Sequence, residues 1–173
     1  MKKIIYSMIM FAGLMTASCE KDDIIHTATE PLAGEWYVTV DFADADGNVV
    51  MADPYEIGKF MVNTYNTSAN VNNEMWVDDL GNFWEFKLKV NCDIANLTFA
   101  SNDTVPNFYY DCGVIIEDGK MLPKAATTPS GVPADSIVFY VQFTDDNLAY
   151  QEAFGYTRYK VSGYRYTGFT ADE

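Results

Sequence analysis

The chain has 173 residues, with 25 acidic against 11 basic side chains and a net charge of −14 at neutral pH. So acidic a chain is a poor partner for a polyanion, which argues against nucleic acid binding. Aromatic residues make up 15% of the sequence. Together with frequent Val and Thr and with Asp-Gly pairs, this composition predicts strands and turns, and therefore a mostly β protein.

The first 18 residues have the anatomy of an export signal. Two lysines precede an apolar stretch at 4–15 that is too short to span a bilayer, and three small residues follow it. The small residues directly before Cys19 resemble a bacterial lipobox, which makes Cys19 the predicted site of lipid attachment and 19–31 a predicted tether. Thr16 stands where bacterial lipoboxes usually carry Leu. The alternative is therefore an ordinary signal peptide with an incidental cysteine.

The charged run at 20–23, Glu-Lys-Asp-Asp, resembles the short signal that sends Bacteroidetes lipoproteins to the outer face of the outer membrane. A solvated acidic linker is the alternative reading of this run. We expect a lipid-anchored protein of the outer membrane, on its cell-surface or periplasmic face. Because the chain is so acidic, its contact with the membrane should be the N-terminal lipid only.

Residues 32–173 form one predicted domain, since a chain of this size can bury one core but hardly two. Apolar and polar residues alternate along 34–42, which predicts a long first strand. The run at 44–48 contains Asp-Gly and predicts a tight turn. Its acidic residues resemble part of a calcium loop, but Tyr55 stands where such a loop requires Glu, which favours a bare turn.

Further strands are predicted wherever apolar residues alternate between turn-forming residues. They cover 49–51, 59–67, 73–77, 83–91, 94–100, 107–116, 136–144 and the bent closing segment 155–169. A hairpin turn is expected at 117–120 and a loop at 123–133, and no helix is expected. An antiparallel sheet of this length must pair its edges, which predicts an all-β, eight-stranded antiparallel barrel; a two-sheet sandwich is the alternative.

The Gly-Glu-Trp sequence at 34–36 resembles the Gly-x-Trp signature of the lipocalins and the wider calycin group. In those barrels the Trp plugs the closed end, and a basic residue from a late strand stacks over it. The resemblance implies that Trp36 and Arg165 form this barrel-end plug, with Arg158 as the runner-up for the basic residue. An arginine over an indole face is a favourable cation–π pair.

At greater length, the segments 34–40, 61–90 and 162–169 look like the calycin-like Bacteroidetes lipoproteins named lipid-binding putative hydrolases. The likeness covers nearly all of the chain after the signal. It implies a calycin-like barrel that binds a small apolar molecule or lipid. The hydrolase part of the family name has to be tested against the residues.

The residues offer little for hydrolysis. The single histidine, His26, lies in the predicted tether, so a Ser-His-Asp or Cys-His mechanism lacks a base. The sequence contains no Gly-x-Ser-x-Gly elbow, zinc-type cluster or phosphate loop, and we expect no metal and no cofactor. Paired carboxylates remain as an alternative, but Asp78, Asp79 and Glu85 are read as turn and surface charges.

Binding is therefore the expected function, and the inward faces of the strands supply the ligand-lining candidates. These are Trp84, Phe86, Leu88, Phe139 and Val141. If such side chains fill the barrel they are core, and if one end is wide they line a pocket. The alternative function is a carbohydrate- or protein-binding accessory of a glycan uptake system. It would use surface tyrosines, for which 109, 110, 156 and 159 are the expected positions.

Two cysteines follow Cys19. An even number of cysteines in an exported chain predicts one disulfide, between Cys92 and Cys112. Two buried free thiols are the alternative.

Overall fold

The structure is a computed structural model that describes residues 26–101 and 103–173. The predicted signal segment, the predicted lipidation site Cys19 and the first part of the tether lie outside the described residues. At the end of the tether, Thr29 is buried, and a short 3₁₀ turn at Glu30–Leu32 leads into the first strand.

Within the described residues, ten strands and one helix follow in chain order. The strands are β1 (Gly34–Ala43), β2 (Val49–Ala52), β3 (Phe60–Asn66), β4 (Glu74–Asp78), β5 (Lys87–Asp93), β6 (Thr98–Ala100), β7 (Val105–Pro106), β8 (Gly113–Thr127), β9 (Pro133–Phe143) and β10 (Arg158–Arg165). The helix, α1, spans Leu148–Phe154, and a 3₁₀ turn at Thr170–Asp172 comes just before the C-terminus.

Eight of the strands close into an antiparallel barrel. Around the barrel the order is β1, β3, β4, β5, β6, β8, β9, β10 and back to β1. The remaining two are short: β2 pairs with the far end of β1, and β7 pairs with the start of β8. The predicted eight-stranded barrel is confirmed, and the sandwich alternative is wrong.

The alternation along β1 explains its place in the barrel. Trp36, Val38, Val40 and Phe42 are fully buried, while the residues between them face outward. Successive side chains of a strand point to opposite faces, so this spacing gives β1 one fully apolar side. The apolar side faces the barrel interior.

The seam between β1 and β10 depends on a glycine. Along it Trp36 lies opposite Arg165 and Ala43 opposite Arg158. A Cβ on Gly163 would lie 1.9 Å from the carbonyl oxygen of Tyr37. Glycine has no Cβ, so it lets the two backbones approach closely enough to close the barrel.

Helix α1 was not expected from the sequence. It is short, and both of its ends are capped. The Asn147 side chain accepts hydrogen bonds from the N–H groups of Ala149 and Tyr150, and Gly155 ends the helix in the left-handed region, with φ of 70°. Within the described ranges, no helix has the length and apolar character needed to cross a bilayer.

Several predicted elements differ from the structure. The strand expected over 94–100 begins at Thr98, the strand expected over 107–116 begins at Gly113, and β8 continues to Thr127 into the expected loop at 123–133. The strand expected over 83–91 begins only at Lys87, because the preceding residues form a loop. The hairpin turn expected at 117–120 is instead a bulge within β8, where the register with β9 shifts. Gly119 packs there so tightly that a Cβ would lie 2.4 Å from the Phe99 carbonyl oxygen. The chain reverses later, between β8 and β9, at 128–132.

The barrel has two different ends, and the strand register defines them. The closed end is where β1 begins, beside the turn at Glu30–Leu32. The mouth is the opposite end, where β1 stops and β10 starts. Three connecting segments lie at the mouth: the loop 53–59, the loop 79–86 and the α1 segment 144–157.

Candidate functional site

The interior of the barrel is filled. Four of the five predicted ligand-lining residues are fully buried members of one core cluster: Phe86, Leu88, Phe139 and Val141. Large side chains from opposite strands are enough to fill an eight-stranded interior. These four are therefore core residues. Only Trp84 differs, being half-buried at the mouth.

The closed end has the arrangement that the calycin resemblance implies. The Arg165 guanidinium carbon lies 4.3 Å from the centre of the buried Trp36 ring. The indole N–H donates to Thr64 Oγ1 at 2.8 Å. Arg165 also donates to the Asp135 carboxylate at 3.2 Å and to the Ala33 carbonyl.

Arg158, the runner-up, lies elsewhere. It stacks over Tyr140 on the outside of the barrel, with its guanidinium carbon 4.0 Å from the ring centre. Its charge is paired with Glu117 and Asp118.

The mouth is covered by aromatic side chains from five segments of the chain. We define the mouth cluster as Phe42, Tyr55, Phe83, Trp84, Phe143, Phe154, Tyr156 and Tyr159. Within it Trp84 stacks on Phe143 with ring centres 4.8 Å apart. Phe42 stacks on Tyr156 at 3.7 Å. The cluster joins the core to the surface, because Tyr55 and Phe154 are each 40% exposed.

Three phenols of the mouth cluster form a chain of hydrogen bonds, which we call the tyrosine chain. The Tyr55 and Tyr159 hydroxyls are 3.1 Å apart, and so are those of Tyr159 and Tyr156. Tyr156 donates in turn to the Asp146 carboxylate at 3.1 Å. Burial raises the pKa values of Tyr156 and Tyr159, so both hydroxyls keep their protons at neutral pH.

Sequence reasoning missed this chain. Tyr156 and Tyr159 were expected on the surface, which is wrong, since they are 2% and 0% exposed. Tyr159 lies two residues before the buried Val161 on the same strand, so its inward position follows from strand alternation. Tyr55 and Asp146 carried no comparable pattern, because they lie in loops. Tyr109 and Tyr110 are exposed, as expected.

A buried aspartate shapes the loop that covers the mouth. The Asp79 carboxylate accepts backbone N–H groups from Gly81, Phe83, Trp84 and Phe86 at 2.8–3.1 Å. This converts the predicted strand residues 83–86 into a loop that places two mouth aromatics over the barrel. Burial raises the pKa of Asp79, and the four N–H donors oppose that rise.

The neighbouring Asp78 tests the hydrolase alternative. It is bound by the hydroxyls of Tyr65 and Tyr109, the ammonium of Lys87 and the N–H of Leu80. Burial alone would raise the pKa of Asp78, but these donors lower it. Two adjacent carboxylates with opposite pKa shifts resemble an acid–base pair. However, protein groups already occupy four acceptor positions on each, which is about the full capacity of a carboxylate.

The predicted disulfide is wrong, because Cys92 and Cys112 are free thiols. Cys92 lies opposite Phe99, which lies opposite Gly119. Cys112 comes seven residues before Gly119, a separation of about 20 Å along an extended strand. A disulfide needs Cα atoms within about 7 Å. At the mouth, Cys112 donates instead to the Asp145 carboxylate, at 3.0 Å.

Outside the barrel, aromatic rings surround a lysine. The Lys87 ammonium lies 5.2–5.3 Å from the ring centres of Tyr65, Trp76 and Phe108. Phe108 is 67% exposed. We call Tyr65, Trp76, Phe108 and Tyr109 the outer aromatic face. Beside it lies a cleft of about 360 Å³ lined by Leu80, Gly81, Glu85 and Tyr109.

Two further polar groups have local roles. His26 pairs with Glu30, four residues on. Asp44 accepts the N–H groups of Asp46 and Asn48, which makes the 44–48 segment the expected turn. Among residues 26–101 and 103–173, no three His, Cys, Asp or Glu side chains are grouped as metal ligands would be.

One comparison with known proteins identifies a family. The profile of a family described as lipid-binding putative hydrolase matches residues 21–170, which include the closed end, the mouth and the outer aromatic face. A search of the curated proteins finds no match. The family match extends over most of the chain and confirms the resemblance to the lipid-binding putative hydrolases. The chain belongs to the lipid-binding putative hydrolase family.

Proposed function

We propose that the protein binds a small apolar or amphiphilic molecule at the mouth of its barrel and does not act on it chemically. The observation that carries this proposal is the continuity of the mouth cluster. Aromatic rings extend from the filled core to Tyr55 and Phe154, both of which reach solvent. Membership in a lipid-binding family supports the same function.

Because core side chains fill the barrel interior, the ligand would lie at the mouth and not inside the barrel. The apolar part of the ligand would rest across the exposed rings of the mouth, Tyr55 and Phe154. Removing apolar surface from water contributes about 25 cal/mol per Å². Binding at the rim therefore needs no rearrangement of Phe86 or Phe139.

The non-catalytic part of the proposal rests on the carboxylates. Asp78 and Asp79 are the adjacent acidic pair, and protein donors already bind both. Asp145 likewise accepts from Trp84 at 3.2 Å and from Tyr110 at 2.9 Å. A carboxylate with its lone pairs in use is a poor base for activating water.

We further propose that the barrel is held at the outer membrane by lipid on Cys19. The support is the sequence pattern at 1–23, together with a net charge of −14 that keeps the barrel itself off an anionic surface. Cells fed an alkyne-labelled fatty acid should label the wild-type protein. Labelling of Cys19→Ser at the wild-type level would contradict the anchor.

The binding proposal is tested on the full chain with Cys19→Ser, so that the protein carries no lipid of its own. Native mass spectrometry with solvent extraction should detect co-purified apolar molecules, and binding of the neutral dye Nile red should be saturable. Phe154→Asp places a charge on the mouth and should abolish both. The matched control is Phe108→Asp, a more exposed phenylalanine on the outer aromatic face.

Two results would contradict binding at the mouth. One is a wild-type protein that is free of apolar molecules and takes up no dye. The other is equal dye binding by both phenylalanine variants when thermal melting shows that both are folded.

The outer aromatic face supports a second candidate function, the binding of a carbohydrate. Trp76 and Phe108 meet edge to face at 5.8 Å, beside the Lys87 ammonium and the Asp78 carboxylate. Aromatic faces stack on the apolar sides of sugar rings, and the Lys87 ammonium would orient hydroxyl groups. Trp76→Ala should abolish binding to a panel of neutral oligosaccharides measured by calorimetry, whereas Phe154→Asp should not. No heat with any sugar would exclude this candidate.

A further inference from the structure

We infer that the ligand of the mouth carries a hydrogen-bond donor as its polar group, an alcohol or an amine, and not a carboxylate. The inference deepens the proposed function and depends on it. It rests on the direction of the hydrogen bonds in the tyrosine chain and on the charges around the mouth.

The direction of the tyrosine chain is fixed from its inner end. Asp146, as a carboxylate, only accepts hydrogen bonds, so Tyr156 donates its single hydroxyl proton to Asp146. The bond between Tyr156 and Tyr159 must then be donated by Tyr159. By the same logic, Tyr55 donates to Tyr159.

The outer end of the chain is therefore an acceptor. Tyr55 has used its proton inward, and its oxygen keeps a lone pair for a further partner. It is also the member of the chain that reaches the surface, being 40% exposed while Tyr156 and Tyr159 are buried. An incoming hydroxyl or ammonium group can donate a hydrogen bond to Tyr55 Oη. A carboxylate has no proton to donate, so its oxygens would be repelled by Tyr55 Oη.

Reversing the chain is costly. For Tyr55 to donate outward, every hydroxyl group of the chain would have to rotate. Tyr156 would then donate to Tyr159 instead of Asp146, and Tyr159 would donate to Tyr55. The half-buried Asp146 carboxylate would then lose one of its donors, which disfavours the reversed arrangement. Asp146 would keep only its bonds from Asn147 and Gln151.

The segment that carries Tyr55 is held in place. The Asp53 carboxylate accepts the N–H groups of Ile57 at 2.9 Å and Gly58 at 3.0 Å, which closes a tight loop around the tyrosine. The ring of Tyr55 also meets Phe42 edge to face at 5.6 Å. The acceptor is therefore fixed beside the apolar rings on which a hydrocarbon tail would lie.

Charge around the mouth favours the same class of ligand. Asp53 and Glu56 flank Tyr55 in its loop, and Asp146 and Glu152 lie in the α1 segment. The basic residue that begins β10, Arg158, is paired with acidic side chains of β8. An anionic head group would be repelled here, while a neutral donor would not and a cationic one would be attracted.

The test compares three ligands with the same tail: dodecanol, dodecylamine and dodecanoic acid. Each displaces Nile red from the full chain with Cys19→Ser at neutral pH, below the concentration at which it forms micelles. We expect dodecanol and dodecylamine to displace the dye at about tenfold lower concentration than dodecanoic acid, equivalent to about 1.4 kcal/mol.

Tyr55→Phe tests the role of the acceptor, since it keeps the ring and removes the oxygen. The variant should bind dodecanol more weakly, bind dodecanoic acid as before, and bring the ratio of the two towards one. Tyr109→Phe is the control. It removes another exposed hydroxyl that is bonded to an aspartate, but on the outer aromatic face, and should keep the wild-type ratio.

The outcomes separate the two proposals. If the dye binds and dodecanoic acid displaces it as well as dodecanol does, the inference is wrong and binding at the mouth stands. Undiminished binding of dodecanol by Tyr55→Phe also overturns the inference. If the dye does not bind at all, binding at the mouth itself fails.

Discussion

The two ends of the barrel are both covered by aromatic side chains, but in different ways. At the closed end, one indole is fully buried, bonded to Thr64 and covered by Arg165. At the mouth, eight rings from five segments pack in a layer whose outer members, Tyr55 and Phe154, stay in contact with solvent. The closed end is built for stability, whereas the mouth leaves apolar surface available to a ligand.

The largest expected effect separates the two tryptophans. Trp36→Ala should lower the free energy of unfolding by about 3–5 kcal/mol, because it leaves a cavity under the closed end. Trp84→Ala should cost roughly half as much, because Trp84 is half-buried. Urea unfolding followed by circular dichroism measures both values. Equal losses in the free energy of unfolding would mean that the two tryptophans stabilise the barrel to the same extent.

The next largest expected effect on stability concerns the seam between β1 and β10. Gly163→Ala should destabilise the barrel by roughly 2–3 kcal/mol, because the added methyl group collides with the β1 backbone. Ser162→Ala, one residue earlier on the same strand, should change stability by no more than about 0.5 kcal/mol. The same unfolding measurement applies. A Gly163→Ala protein as stable as the Ser162→Ala control would refute the close approach.

Two arginines allow a finer comparison. Arg165→Met should cost about 1–2 kcal/mol, because the lost charge lies over a buried indole. Arg158→Met should cost less, since Arg158 stacks on the half-buried Tyr140 outside the barrel. Methionine keeps most of the aliphatic stem in both variants. A larger loss for Arg158→Met would reverse the assignment of the stabilising cation–π pair.

The smallest effect concerns two carboxyl groups with opposite shifts. Burial alone would raise the pKa of Asp172, but hydrogen bonds from Thr167 and Ser130 lower it to about 2. Burial raises the pKa of Asp79. NMR titration of the side-chain carboxyl carbons should give a midpoint below the usual value of about 3.9 for Asp172 and above it for Asp79.

These shifts have consequences of opposite sign for stability. The contribution of Asp172 is present above the pKa of the unfolded chain and is lost as the pH falls through the folded-state value of about 2. Asp79 gains protons more readily in the folded state, so its protonation favours folding as the pH falls through its raised pKa. Asp172→Asn should therefore flatten the fall in melting temperature between about pH 4 and 2. An unchanged fall would show that other groups cause it.

The closed end could be predicted from the sequence far better than the mouth. The alternation along 34–42 places the inward residues of β1, and the Gly-x-Trp pattern points to the indole and to a late arginine. These features are local or belong to a recurring motif. The mouth depends on contacts between distant segments: the tyrosine chain joins residues 55, 146, 156 and 159, which meet only when the barrel closes.

The covering loop shows why a correct pattern can predict the wrong element. Apolar residues alternate in phase from Trp84 to Val90, so the sequence predicts one continuous strand. In the structure the Asp79 carboxylate binds four backbone N–H groups of 81–86 and removes that part of the segment from the sheet. The alternation of side chains does not show whether the backbone N–H groups will bond to a neighbouring strand or to a side chain.

The pairing of the first strand with the last determines when the protein can finish folding. Until Arg158–Arg165 has been synthesised, β1 and β9 each keep an unpaired edge, and such edges invite association with other chains. Contacts between residues so far apart in sequence also make folding slow. We therefore expect a chain truncated before residue 158 to aggregate.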